Sequence, residues 1–283
     1  MMRHKGFAVF ILSHGRADNM VTLKTLKKGG YTGQVYILVD DEDSQQGKYK
    51  EKYGEDVIVF NKRECANKCD QGDTSEDRRV ILFARNQCFD EAERLGLQSF
   101  LELDDDYTSF EYRYQEGDRL KVRKYKDLDS LFDLMLDFLY NTDALTVALA
   151  QGGDFIGGVN GGIFQKGIAR KAMNTFFCRT DKRFAFVGRI NEDVNTYTTL
   201  GQRGEKIFTF TKAAIVQKTT QKNNGGMSDI YLDMGTYLKS FYSVMYSPSC
   251  VKISKMGDKH MRIHHEVEWD YCTPMILNEK YKK

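Results

Sequence analysis

The sequence predicts an α/β fold, a central mixed and mostly parallel sheet flanked by helices. Short apolar runs suited to buried strands alternate with longer segments of helical period. The early runs stop in polar residues, as strands of open α/β sheets do where they carry ligands. The 283 residues, 41% apolar with two prolines, hide roughly three quarters of their unfolded surface when folded, which suits one large core and excludes a disordered or Pro-rich chain.

In order, Phe7–Leu12 reads as a strand, Ser13 to Asp18 as a polar turn, and the next segment as a helix closing at Gly29-Gly30. Residues 35–39 and Val57–Phe60 read as strands, the first running into Asp40-Asp41-Glu42-Asp43. Residues 77–95 place Val80, Phe83, Ala84, Cys88 and Ala92 on one helical face, closed by Gly96. Residues 99–103 form a strand ending in Asp104-Asp105-Asp106, and a hairpin follows over 110–114 and 120–125. The helix expected at 127–140 carries Asp129, Asp133 and Asp137 four apart, a spacing that lines a solvated face. Residues 144–150 read as an inner strand, and 151–167 hold seven glycines, for close backbone approach or flexibility. A helix is expected to begin at Glu192-Asp193, acidic residues suiting its N-terminus. A strand at 206–217, a Gly-rich loop at 221–227 and a helix at 229–246 follow. No shift in composition divides it, so one domain spans 1–283.

Lysine and arginine number 42 against 40 acidic residues, a net charge of +2 that excludes a polybasic tail protein. No apolar run reaches the roughly 18 residues of a membrane span, and the N-terminus lacks a signal-peptide layout. The expectation is a soluble, unexported protein with no membrane partner. The six cysteines suit free thiols; Cys65 and Cys69 resemble half a zinc site that no C-x2-C pair or nearby histidine completes.

Three adjacent carboxylates at the end of a buried strand repel one another and are costly to desolvate. Alternation puts Asp104 and Asp106 on one side and Asp105 on the other, so two carboxylates can grip Mg2+ or Mn2+ while a diphosphate fills the remaining positions. An acidic turn facing water is the alternative. Glu192 and Asp193 either cap a helix or act chemically. Positive charge gathers at Lys166, Arg170, Lys171, Arg179, Lys182 and Arg183, and again at Arg203, Lys206, Lys212, Lys218 and Lys222. Both stretches flank the Glu-Asp pair, a basic side for an acidic partner.

Phe83-Ala84-Arg85-Asn86, then Leu101-Glu102-Leu103-Asp104-Asp105-Asp106, then Asn191-Glu192-Asp193 is an order of parts that resembles the GT-A glycosyltransferases over about two hundred residues. Residues Phe10 to Ala17, Phe186 to Asp193 and Ile263 to Val267 resemble, within them, the phage-encoded branch associated with TET/JBP-type hydroxylases. The resemblance implies a metal-dependent glycosyltransferase, a hexosyl- or pentosyltransferase that moves sugar from a UDP-sugar onto 5-hydroxymethylcytosine or a related base of phage DNA. It implies inversion and work in the infected host's cytoplasm.

By the same resemblance Asp104 and Asp106 hold the metal and Asp105 lies near the ribose. Ser13, Arg16, Asp40 and Arg85 line the nucleotide pocket, Asp193 is the general base and Glu192 its helper. His264 or His265 completes the metal site; neighbours on an extended segment point opposite ways, so one of them should reach the ion. Residues 1–110 become a nucleotide-binding half and 111–283 an acceptor half. His14 is open to a phosphate contact or a turn-stabilising role, and whether the base flips out is equally open. The rivals are a glycosyltransferase for polysaccharide, lipid or protein, a carboxylate-metal nuclease or nucleotidyltransferase, and a noncatalytic DNA-binding module.

Overall fold

The computed structural model describes residues 4–217, 227–257 and 261–274. The elements are β1 (Phe7–Leu12), α1 (Val21–Lys28), β2 (Gln34–Asp40), α2 (Gln46–Tyr53), β3 (Val57–Phe60), α3 (Lys62–Lys68), α4 (Leu82–Arg94), β4 (Ser99–Asp104), β5 (Tyr107–Glu116), β6 (Arg119–Lys124) and α5 (Leu128–Thr142). They continue with β7 (Thr146–Ala150), α6 (Gly162–Lys166), β8 (Ile168–Ala169), β9 (Thr175–Arg179), α7 (Glu192–Gln202), β10 (Ile207–Gln217), α8 (Met227–Tyr246), β11 (Val251–Met256) and β12 (Arg262–Val267).

One mixed sheet has the order β3-β2-β1-β4-β9-β7-β10-β5-β6, with β8 beside β10, and β11 and β12 form a separate ribbon. Pairing is parallel through β3-β2-β1-β4 and again at β7 and β10; the other pairs of the large sheet are antiparallel. Every residue of β1 is buried. Phe7, Val9 and Ile11 enter a core shared with Leu131, Phe132 and Leu136 of α5, while Phe10 and Leu12 enter one shared with Phe83, Cys88 and Phe89 of α4. A strand buried on both faces reads as a continuous apolar run, which is why its sequence was legible.

The chain leaves β1 for β2 on one side and returns to β4 on the other. That reversal opens a crevice at the strands' carboxyl ends, and the register pairs Leu12 with Asp104, setting Ser13 beside the aspartate triplet.

Four expectations need correction. The helix expected from residue 77 begins at Leu82, because the Asp77 carboxylate accepts from Arg79 N–H groups and its carbonyl accepts from Arg189 at 3.0 Å. The aspartates of α5 do not line a solvated face. Asp129 and Asp133 are buried: Asp129 accepts from the Thr32 backbone and hydroxyl at 2.9 and 2.6 Å, Asp133 from the His4 backbone, and Asp137 pairs with the His4 ring.

The two basic stretches do not both meet the crevice. β9 runs antiparallel to β4, so Arg179 lies opposite Ser99 at the foot of the sheet, in ion pairs with Asp143 and Asp181, while Lys182 pairs with Asp143 and Arg183 with Asp90. Fourth, His264 and His265 do not diverge: their ring centroids lie 4.3 Å apart, the His264 ring turned back onto the His265 carbonyl. Residues 221–226 of the expected loop, with Lys218 and Lys222, lie outside the described residues.

Candidate active site

The crevice is a cavity of about 1070 Å3. It is bordered by every residue singled out from the sequence: Ser13, Arg16, Asp40, Arg85, Asp104, Asp105, Asp106, Glu192, Asp193, His264 and His265. They come from six parts of the chain and meet only on folding.

Thr22, in the first turn of α1, clamps the triplet's backbone. Its hydroxyl donates to the Asp104 carbonyl at 2.6 Å and accepts the Tyr107 N–H at 2.9 Å, and its own N–H donates to the Asp105 carbonyl at 3.0 Å. Asp105 is buried and accepts from Ser13 Oγ and Arg16 Nη1, each at 2.6 Å. Ser13 is held in turn by the Tyr49 hydroxyl at 2.7 Å. Asp104 and Asp106 keep partial exposure. Burial pushes the Asp104 carboxyl up to about 6, Arg85 pulling against it and the neighbouring Asp106 and Asp105 adding to the rise.

Arg85 borders the cavity with its guanidinium engaged by three carboxylates. At 1% exposure it donates Nε to Glu192 at 3.1 Å, Nη1 to Glu102 at 3.4 Å and Nη2 to Asp104 at 3.3 Å, with the Phe176 ring 4.8 Å away. One arginine thus joins the strand end to the start of α7. Glu102 is wholly buried and pushed up to about 8 by desolvation, against the pull of Arg85.

Asn191 sits in the left-handed region at φ 53° and turns the chain into α7, so that Glu192 and Asp193 occupy its first turn. Burial and then the Glu192 charge raise the Asp193 carboxyl to about 7. Asp193 Oδ1 accepts the Val194 N–H at 2.7 Å. Lys239 of α8 borders the cavity with its pKa lowered by burial, opposed by Asp193 and Glu192.

His265 lies 3.4 Å from Asn191 Nδ2. Burial, then the neighbouring His264 and Lys239, lower its pKa to about 4, so the ring is neutral at pH 7. Among the described residues no three His, Cys, Asp or Glu side chains form a group able to hold a metal ion.

On the other rim Asp40 accepts from His14 at 2.6 Å and pairs with Lys62 at 3.2 Å. Burial alone would raise the Asp40 carboxyl; the two cations hold it below its ordinary value. His14 is therefore tied into the turn. Its pKa is raised by the Asp40 hydrogen bond, against desolvation. Of the basic residues named from the sequence, Lys166, Arg170 and Lys171 border the cavity among the described residues, beside Trp269, whose ring stacks on Tyr197 at 5.6 Å.

A buried tie fixes the approach to α7. Arg189 donates to Asp73 at 2.7 Å, Tyr242 of α8 meets the same carboxylate, and Gly188 N–H donates to the Asp70 carbonyl at 2.8 Å. Gly188 has φ +80°, and a Cβ there would sit 2.3 Å from Asn195 Nδ2 and 2.7 Å from the Tyr246 ring.

Lys62, Lys239 and Thr22 carried no motif, and Glu102 was assigned no role within the stretch that ends in the aspartate triplet. The one signal for Glu102 is a charged residue inside the apolar run Phe100-Leu101-Glu102-Leu103.

The crevice at the carboxyl ends of the strands brings the aspartate triplet and the Glu-Asp pair that opens α7 to one cavity, as the resemblance drawn from the sequence led us to expect. A family model described as "TET-Associated Glycosyltransferase" matches residues 7–226, so the chain belongs to the TET-associated glycosyltransferase family and the protein is a glycosyltransferase.

Among solved structures it is similar to glucosyl-3-phosphoglycerate synthase from Mycobacterium tuberculosis with Mg2+ and UDP, at 7% identity over 92% of this chain and 87% of that one, TM-score 0.46. It is also similar to S. aureus TarS 1-349 with UDP, at 14% identity over 85% and 70%, TM-score 0.43. A third similar structure is the mannosyltransferase PcManGT from Pyrobaculum calidifontis with GDP-Man and Mn2+, at 8% identity over 85% and 73%, TM-score 0.47. No curated protein matches the sequence. No described helix is long and apolar enough to cross a membrane.

Proposed function

We propose that this glycosyltransferase moves a sugar from a UDP-sugar onto the hydroxymethyl oxygen of 5-hydroxymethylcytosine, or a related base, in phage DNA within the infected cell's cytoplasm, with inversion at the sugar carbon. The observation that carries the reading is the contact set of Arg85, whose single guanidinium reaches Asp104 and Glu192 at 3.3 and 3.1 Å. Triplet and Glu-Asp pair therefore face one cavity, close enough for one donor sugar to lie between them.

Asp104 and Asp106 offer hard oxygen donors and His264 or His265 a nitrogen, ligand types that suit Mn2+ or Mg2+. Among the described residues no three such side chains are grouped, so the donor's diphosphate would supply further oxygens to the ion. When bound, the ion supplies electrostatic stabilisation of the charge that grows on the departing nucleotide.

The chain's own residues do the rest. Ser13 and Arg16 fix Asp105 toward the ribose. Asp40, braced by His14 and Lys62, and the apolar wall of Leu12, Leu38, Phe60 and Ile81 face the nucleotide's base. Asp193 accepts the acceptor hydroxyl's proton as that oxygen bonds to the anomeric carbon and the carbon–phosphate-oxygen bond breaks, its electron pair leaving with the nucleoside diphosphate. Since Oδ1 holds the Val194 N–H, Oδ2 takes the proton, and a carboxyl titrating near 7 suits a base at neutral pH. Glu192, pinned by Arg85, keeps its neighbour oriented. Residues 1–110 supply the donor side, and 111–283 supply Gln151, Lys166, Arg170, Lys171, Asp193 and Trp269 to the acceptor side.

The test is incubation with hydroxymethylated DNA and a panel of nucleotide sugars, followed by mass spectrometry of the released nucleosides. A gain of one hexose or pentose on the modified base is expected. Unmodified base with every donor would overturn the DNA acceptor, and strand scission would favour a nuclease.

A further inference from the structure

We infer that the exposed face of the β5–β6 hairpin is a docking surface for the phosphodiester strand that flanks the acceptor base. The inference rests on the DNA acceptor proposed above. Strand β6 reads Arg-Leu-Lys-Val-Arg-Lys and closes the edge of the large sheet. The register sets Tyr112 opposite Arg123, Tyr114 opposite Lys121 and Glu116 opposite Arg119. Cross-strand partners share a face, so one face of the hairpin carries two tyrosines and three cations with a single carboxylate.

The tyrosine rings stack at 5.7 Å and 11°, Tyr112 is 41% exposed, and the Arg123 guanidinium lies 5.6 Å from the Tyr114 ring. Lys121 pairs with Glu116 at a loose 3.5 Å, and among the described residues no carboxylate pairs with Arg119 or Arg123. Compare the basic residues at the foot of the sheet, where Arg179, Lys182 and Arg183 are each engaged by aspartate.

From the hairpin's opposite face Arg113 reaches the segment that borders the acceptor side of the cavity. There Arg113 stacks over Phe155 at 4.7 Å, within the Gly-rich segment that gives Gln151, Ile163 and Lys166 to the cavity wall. Aromatic rings beside unneutralised cations suit single-stranded or unstacked nucleic acid, the cations meeting phosphates and the rings meeting bases. A charged edge strand also discourages sheet-to-sheet pairing; that role alone requires no tyrosine pair and predicts no dependence on DNA.

The experiment compares wild type with an Arg119→Gln/Lys121→Gln/Arg123→Gln variant and with Tyr112→Leu/Tyr114→Leu. The probe is a fluorescent single-stranded oligonucleotide carrying one 5-hydroxymethylcytosine, titrated across a salt series. UDP affinity and the melting temperature, read on the same samples, establish that the cavity and fold are intact. The triple variant is expected to weaken oligonucleotide binding at least about tenfold, and to flatten the log–log salt slope by about two, three contacts at about 0.7 each. The tyrosine variant weakens binding with little change in slope. Wild-type affinity and slope in both variants would overturn the hairpin surface while leaving the DNA acceptor standing. A wild-type protein that neither binds nor modifies the oligonucleotide would remove both.

Discussion

Arg85→Met isolates the contact on which the proposed site depends. The guanidinium lies 3.1 to 3.4 Å from three carboxylates on two elements, β4 and α7, at 1% exposure. At an effective dielectric of about 20, one charged pair at this distance attracts by about 5 kcal/mol, a gross figure that desolvation of the arginine and of each carboxylate offsets in large part. Methionine keeps much of the side-chain volume and leaves Glu102, Asp104 and Glu192 crowded without it. The expected loss is about 3–5 kcal/mol, a large part of the about 5–15 kcal/mol that holds a typical domain together.

The same reasoning gives a sign in pH. Glu102 and Asp104 already titrate near 8 and 6, above their ordinary values, and lose their countercharge in the variant. A carboxyl with a raised folded pKa holds its proton more tightly folded than unfolded. Its favourable effect is complete below the unfolded value and is lost as pH rises through the folded one. The variant should therefore be least impaired near about pH 5 and most impaired near about pH 8. Urea denaturation in chelator at both pH values measures this. A loss under about 1 kcal/mol at the higher pH, or equal losses at both, would refute the reasoning.

Asp193→Asn should keep the fold and lower transfer by about a hundred- to ten-thousand-fold. The wild-type rate should climb through about pH 7 and then level, since the ionised carboxylate is the active form; a pH–rate profile unchanged in the variant would exclude Asp193 as the base. Asp106→Ala should abolish transfer in a protein that melts normally, and excess chelator should do the same to wild type; full turnover in chelator would remove the metal. Gly188→Ala should cost about 2–4 kcal/mol, from left-handed backbone and overpacking against Asn195 and Tyr246, and thermal melting that matches wild type would contradict that packing.

Strands β1 and β7 were legible because their apolar runs are uninterrupted by charge, and so was α5, where Asp127 caps the helix by accepting from Ser130, whereas the similarly buried β9 was not read from the sequence. The site's walls were legible because carboxylates side by side in sequence are rare enough to be noticed. What the sequence could not convey was pairing at a distance. Asp129 and Asp133 looked solvated because their partners, Thr32 and the His4 backbone, lie about a hundred residues away. Nothing in the sequence marked Arg85 as the partner of three carboxylates, because these come from β4 and α7. A tally of positive residues carries no strand direction, so it set Arg179 and Lys182 beside chemistry that occurs at the other end of the sheet.

The knot of Arg189, Asp73 and Tyr242 has a mechanical corollary. It fastens the stretch leading into α4 to the helix that supports the histidine ribbon, so these two banks of the crevice cannot part without stranding a buried guanidinium. A crosslink placed across the knot should therefore leave turnover unchanged.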